Sequence, residues 1–208
     1  LLEVTDKFSG EVATRVALLH PEKIEHVSRV IYALGLAGLS EATPELARKL
    51  VTAAPHSIEA HRFYQSALES EGKRPELIAE YQRRLEADPS SPEAMYLLLR
   101  VLPRRDRLAR LRQAVSIFPD DPKLHYSLLV SLGDEHKQDG ADAVIAKLKT
   151  MKLDDAYRRV IEENTAQLYV ESGRGKQALA NLDPKQVSPL FVARLQKLVD
   201  KKIAGGVL

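Results

Sequence analysis

The 208-residue chain contains no cysteine and no tryptophan. Without cysteine it has no disulfide, no thiolate metal site and no cysteine nucleophile, and the compartment stays open between cytosol and periplasm. Aromatic residues are only 5% of the total. No alternating run of Val, Ile, Thr and aromatics marks a strand, and no apolar stretch is long enough to span a bilayer. An excess of one charge is also missing. The formal net charge of +2 is less than proteins that grip nucleic acid usually carry, so nucleic acid is not the expected partner.

Hydrophobic residues make up 44% and charged residues 29%, enough to bury a core and remain in solution rather than disordered. Ala, Leu, Glu and Arg dominate, and such side chains lose little entropy in a helix. The expectation is an all-α chain forming one elongated domain or two small ones. It begins Leu-Leu-Glu without an initiator Met and ends Ala-Gly-Gly-Val-Leu. It therefore reads as an excised piece of a larger bacterial protein, and the lack of a targeting segment carries no information.

Proline and glycine punctuate the chain at intervals. Pro55 and Pro89 are separated by the same interval as Gly38 and Gly72, about 34 residues, and Pro119 follows Pro89 more closely. Each of these prolines closes an amphipathic run, "ELARKLVTAAP", "LIAEYQRRLEADP" and "LARLRQAVSIFP", because proline cannot extend a helix through itself. Two helices within such a period resembles the tetratricopeptide repeat (TPR). In the last unit Ala166, Tyr169, Gly173 and Ala178 fall at the family spacing A-x2-Y-x3-G-x4-A. The second unit offers Tyr64, Leu68, Gly72, Leu77, Tyr81 and Pro89, and the first Val27, Val30, Leu34, Gly38, Ala47, Leu50 and Pro55. Met95, Leu98, Leu102, Leu111, Ala114 and Pro119 mark a third unit, with its turn shortened around Pro103. Leu128, Leu132, Gly140, Val144 and Leu148 mark a fourth, with a lengthened turn. The third and fourth units also fit two-helix solenoids of other repeat length.

The resemblance spans about residues 22 to 184 and implies a right-handed α-solenoid of stacked antiparallel helical hairpins. The expected units are 22–57, 58–91, 92–121, 122–155 and 156–187. Residues 1–21 form an N-terminal cap or the end of a preceding repeat. Residues 188–208 form a C-terminal helix and tail, amphipathic through Leu190, Ala193, Leu195 and Leu198, that caps the stack or begins a further unit. One hairpin cannot bury its apolar stripe alone, so neighbours share a continuous core. Glycine at the turn accepts the left-handed conformation that ends a helix, and Pro75 suits a helix start. The pairs Asp120-Asp121 and Asp154-Asp155, at unit boundaries, suit helix N-caps.

Catalytic chemistry finds no foothold. Gly173-Arg174-Gly175-Lys176 suggests a phosphate loop, but its glycines are two apart, Gln177 stands where Ser or Thr is needed, and a helix precedes it. It reads as a hairpin turn, with Gly173 as the turn glycine, Gly175 as an added point of freedom and Lys176 at the next helix. His56, Glu59 and His61 imitate a zinc motif, but a five-residue spacing turns the two histidines apart on a helix. His125 and the other histidines read as surface or packing residues. No metal, cofactor or catalytic residue is expected.

Binding residues are more legible. The family's groove positions, lining the first helix of each hairpin, correspond to Ser28, Tyr32, Arg62, Ser66, Tyr96, Arg100, Tyr126, Val130, Glu163 and Gln167. Tyr and Arg are enriched where interfaces concentrate energy. The resemblance thus implies a non-catalytic scaffold that binds a protein or peptide through Tyr32, Arg62, Ser66, Tyr96, Arg100 and Tyr126. The Lys and Asn set with which one subfamily clamps chaperone C-termini is not recognisable, and that partner is not implied. One alternative is a structural module of an envelope assembly for polysaccharide export. A second is polyanion binding through Arg100, Arg104, Arg105, Arg107, Arg110 and Arg112, although no interleaved aromatics are present there to stack bases.

Overall fold

The computed structural model describes residues 44–134, 140–183 and 187–204. Expectations placed on the N-terminal segment, on Ser28, Tyr32 and Gly38, and on most of the first unit lie outside them. Among the described residues there are ten helices and no strand, which bears out the all-α reading.

The helices begin and end where the punctuation requires. Pro55, Pro89 and Pro119 stand two residues beyond the ends of α1 (Pro44–Ala53), α3 (Arg74–Ala87) and α5 (Arg104–Ile117). The helix that follows each of them starts from a side-chain cap. Ser57 Oγ accepts from the Ala60 amide at the head of α2 (Ile58–Ser70), and Ser91 Oγ accepts from Ala94 at the head of α4 (Pro92–Val101). Asp121 does the same for Leu124 in α6 (Pro122–Asp134), and Asp154 for Tyr157 in α8 (Asp155–Glu171). Ser188 caps α10 (Pro189–Ala204) through the Phe191 amide. Each bond satisfies an amide that has no partner within its helix. The five caps stand at positions 57, 91, 121, 154 and 188, close to the period of the prolines throughout.

Two compact units are formed, Leu1–Leu102 and Pro103–Leu208. In the first, α1 packs on α2, α3 on α4, and α2 also on α4. Leu50, Leu77, Tyr81, Leu98 and Leu99 are almost wholly buried there. In the second unit, α5 packs on α6, and α6 on α7 (Ala141–Thr150). There α8 also pairs with α9 (Gly175–Asn181), and α10 rests on both. Leu111, Leu124, Leu132, Leu148 and Leu195 are the buried counterparts. Burying each such side chain is worth roughly 1.5–3 kcal/mol. Gly133 allows α6 to approach α8, since a Cβ there would lie 2.8 Å from Leu168 Cδ1.

The turn glycines are in the left-handed region, Gly72 at φ 74°, Gly140 at φ 91° and Gly173 at φ 79°. After α2 the Lys73 amide donates to the Leu68 carbonyl, and after α8 the Arg174 amide donates to Tyr169. These five-residue reach-backs around a glycine are Schellman closures. Gly175 departs from expectation. It is the buried first residue of α9 and has no positive φ. α10 also turns differently from its expected stripe. Leu195 and Val199 are buried while Leu190, Ala193 and Leu198 face outward. Its inward face follows the register set by the Ser188 cap. The seventh and eleventh residues after the cap are buried here, as they are after the other four caps.

Candidate partner-binding face

The fifth and ninth residues after each cap lie one helical turn apart, on the same side of the helix. In α2 these are Arg62 and Ser66, both exposed; in α4 they are Tyr96 and Arg100, both half-buried. Contact between α2 and α4 brings the two pairs together. Arg100 Nη2 donates to Ser66 Oγ at 3.4 Å, and Ser66 Oγ donates to the Arg62 carbonyl at 3.0 Å. Beneath them the Gln65 side-chain amide donates to the Leu97 carbonyl at 2.9 Å, fixing the two helices in register. Four of the sequence-derived residues thus share one surface with two guanidinium groups and a phenol.

In the second unit, α6 carries Tyr126, half-buried, and Val130, 39% exposed. Tyr126 meets Tyr157 of α8 edge to face, with ring centroids 5.7 Å apart, and the Tyr157 hydroxyl donates to the Pro122 carbonyl. Glu163 is half-buried and Gln167 exposed on α8. Of the arginine cluster, Arg104, Arg105, Arg110 and Arg112 are exposed along α5, and Arg107 is half-buried. Arg105 lies 3.7 Å from Asp106, a loose surface pair of small energetic consequence.

The glycine stretch is occupied by structure. Arg174 Nη1 lies 3.0 and 2.9 Å from the two oxygens of Asp142, and the guanidinium sits 4.4 Å above the Tyr169 ring. The Tyr169 hydroxyl also donates to Asp142, at 3.1 Å. Arg174, within the glycine stretch, thus fastens the α8–α9 turn to α7.

The histidines reveal a device that reading the sequence for metal spacing missed. Nε2 of His61 lies 2.9 Å from the Pro55 carbonyl, and Nε2 of His125 lies 2.9 Å from the Pro119 carbonyl. A carbonyl only accepts, so each Nε2 carries the proton. The repeated six-residue spacing from proline to histidine was the available signal. His61 is 2% exposed and its Nδ1 faces the Tyr81 hydroxyl at 2.8 Å, so both nitrogens are engaged within the protein. Burial pushes both histidines below their ordinary pKa and raises that of Tyr81.

Lys149, Glu162, Thr165, Tyr169 and Asn181 surround a depression of about 10 Å³. That is room for about one water, against the roughly 300–1,000 Å³ of small-molecule sites. Among the described residues no cluster of His, Asp and Glu has metal-ligand geometry, and no helix is long and apolar enough to cross a membrane.

No family model and no curated protein matches the chain. Solved structures do. The crystal structure of TTC0263, a thermophilic TPR protein in Thermus thermophilus, aligns with a TM-score of 0.57 at 16% identity, covering 86% of this chain and 98% of that one. The crystal structure of MamA protein aligns at 0.46 and 14% identity over 88% of this chain and 96% of that one, too distant to carry an argument. Together with the ten helices, the caps and the glycine turns, the likeness to TTC0263 gives this chain the fold of a tetratricopeptide-type helical repeat, an α-solenoid built from antiparallel hairpins.

Proposed function

We propose that the chain is a non-catalytic scaffold that holds an extended segment of a partner protein along the face carrying Arg62, Ser66, Tyr96 and Arg100. The observation supporting this reading is the juxtaposition of those four residues on α2 and α4, with Arg100 reaching Ser66. Tyr96 supplies an apolar body with a polar tip. Arg62 and Arg100 favour carboxylates in the bound segment. Tyr32 and Tyr126, at the family's groove positions in their own units, belong to the same proposal. A preformed face loses little conformational entropy on binding.

The test is the affinity for a partner captured by the isolated chain, measured with Tyr96→Ala and Arg100→Ala. A loss of about tenfold or more for either is expected for an anchor residue. Unchanged affinity moves the interface elsewhere.

The exposure of Arg104, Arg105, Arg110 and Arg112 along α5 favours a second reading, in which this helix meets a polyanion. Retention on a polyanion column that falls steeply with salt supports it, and no retention at low salt ends it. Membership of an envelope export assembly is a third placement, tested by a signal sequence or a β-barrel in the flanking chain.

A further inference from the structure

Thr165 breaks the packing rule of the capped helices. The eleventh residue after each cap is, in chain order, Leu68, Leu102, Leu132, Thr165 and Val199, and all five are buried. Four of these inward positions hold an aliphatic side chain, whereas α8 places a hydroxyl there, 5% exposed. Threonine is also shorter than the leucine of the first three helices, so it fills less of the space beside it. The depression of about 10 Å³ lies against it, bordered by residues of α7, α8 and α9.

The Thr165 hydroxyl also bonds unlike others in the helices. Thr52, Ser66, Ser70, Ser116, Ser127 and Thr150 each donate to a carbonyl three or four residues earlier in their own helix, the usual outlet for such a group. Thr165 Oγ1 is buried and has no hydrogen-bond partner among the described residues. A buried hydroxyl is costly to leave without one. Lys149 of α7, Glu162 of α8 and Asn181 of α9 border the same depression. Among the described residues no hydrogen bond or ion pair engages those three side chains.

We propose that this depression is a hydration site, binding one ordered water that accepts from the Thr165 hydroxyl and links it to Lys149, Glu162 and Asn181. Its size admits a single water and nothing larger. An ammonium and a carboxylate stand on the same rim, Lys149 and Glu162, so the site favours neither an anion nor a cation. Cavities that stay dry are apolar, and a buried water needs about two to four polar partners, which these four side chains supply. The bridge joins α7 to the α8–α9 hairpin through Lys149, at the opposite end of α7 from the Asp142 contact with Arg174. Water thereby does in this hairpin the filling that leucine does at Leu68, Leu102 and Leu132.

Crystal structures of the chain, of Thr165→Val and of Thr165→Ser test the site. In the unaltered chain one water should lie within about 3 Å of Thr165 Oγ1 and within hydrogen-bond reach of Glu162, Asn181 or Lys149. Valine replaces the hydroxyl by a methyl group of similar size, so the water should be gone from Thr165→Val and kept in Thr165→Ser. In solution, amide exchange in the last turn of α7 should quicken by about two- to tenfold in the valine variant, the weight of one hydrogen bond. The serine variant should exchange as the unaltered chain does, and circular dichroism checks that both variants fold. The proposal is overturned by the absence of water at Thr165, by a hydroxyl turned onto the Ile161 carbonyl of its own helix, or by an ion in place of the water. A water that persists in Thr165→Val, or exchange indifferent to the valine, overturns it as well.

Discussion

The Tyr81 hydroxyl donates to Nδ1 of His61 across 2.8 Å, because the opposite nitrogen of the ring is committed as donor to the Pro55 carbonyl. That pair holds the helix-ending proline, the first helix of a hairpin and its second helix in one buried arrangement. Tyr81→Phe keeps the shape and leaves Nδ1 buried without its partner. The expected loss is about 1–2 kcal/mol in urea unfolding, and an unchanged midpoint would refute the role given to the hydroxyl.

The same ring makes stability depend on pH. Burial, the largest cause, lowers the pKa of both His61 and His125 from the reference value of 6.5. Between the depressed native value and 6.5 the unfolded chain binds more protons than the native one, so stability rises with pH. The contribution is complete above 6.5 and is lost as pH falls toward the native values. Thermal midpoints should therefore drop between about pH 7.5 and pH 5.5, and drop less in the double variant His61→Gln/His125→Gln. Equal slopes for the two proteins would show that other groups set the dependence.

Gly72 sits at φ 74° with nothing within 4 Å of where a Cβ would stand. Gly72→Ala therefore tests backbone conformation alone, and should cost about 1 kcal/mol. Gly72→Asn should cost less, since asparagine tolerates the left-handed region. Equal midpoints for alanine and glycine in chemical unfolding would remove the conformational argument.

Ser91→Ala removes the acceptor for the Ala94 amide at the head of α4. A loss of about 1 kcal/mol is expected, with Ser91→Asp close to neutral because aspartate caps equally well. Amide exchange would localise the effect. Faster exchange confined to the first turn of α4 is the expected result, and a change spread over every helix would contradict it.

Arg174→Lys keeps the charge and loses the planar group stacked on Tyr169 and held by Asp142. Stability should fall by about 1 kcal/mol despite the conserved charge. Full stability in the lysine variant would reduce the interaction to simple charge attraction.

Much of this was legible in the sequence, for physical reasons. Pro55, Pro89 and Pro119 mark helix ends because a missing amide is a local property, and Gly72, Gly140 and Gly173 mark turns because a positive φ is one too. The pairs Asp120-Asp121 and Asp154-Asp155 were readable as cap positions for the same reason, and the structure selects Asp121 and Asp154. Ser57, Ser91 and Ser188 complete the ruler but escaped notice, since serine is common outside caps. Among the candidate site residues, the grouping of Arg62, Ser66, Tyr96 and Arg100 followed from repeat register. What could not be read was tertiary. The outward orientation of Leu190 and Leu198 depends on which side of α10 meets α8 and α9. The engagement of Arg174 with Asp142 joins residues 32 apart, where no local pattern points from one to the other.

The tie between Tyr157 and the Pro122 carbonyl spans 35 residues, that between Arg100 and Ser66 spans 34, and that between Gln65 and Leu97 spans 32. Each of these reaches about one repeat along the chain and no further. Both partners in each tie therefore leave the ribosome within one hairpin's worth of synthesis, and loop closure does not have to bridge distant parts of the chain to form them. Such a molecule should fold rapidly, as chains rich in local contacts do. It should begin to assemble while its later hairpins are still being translated.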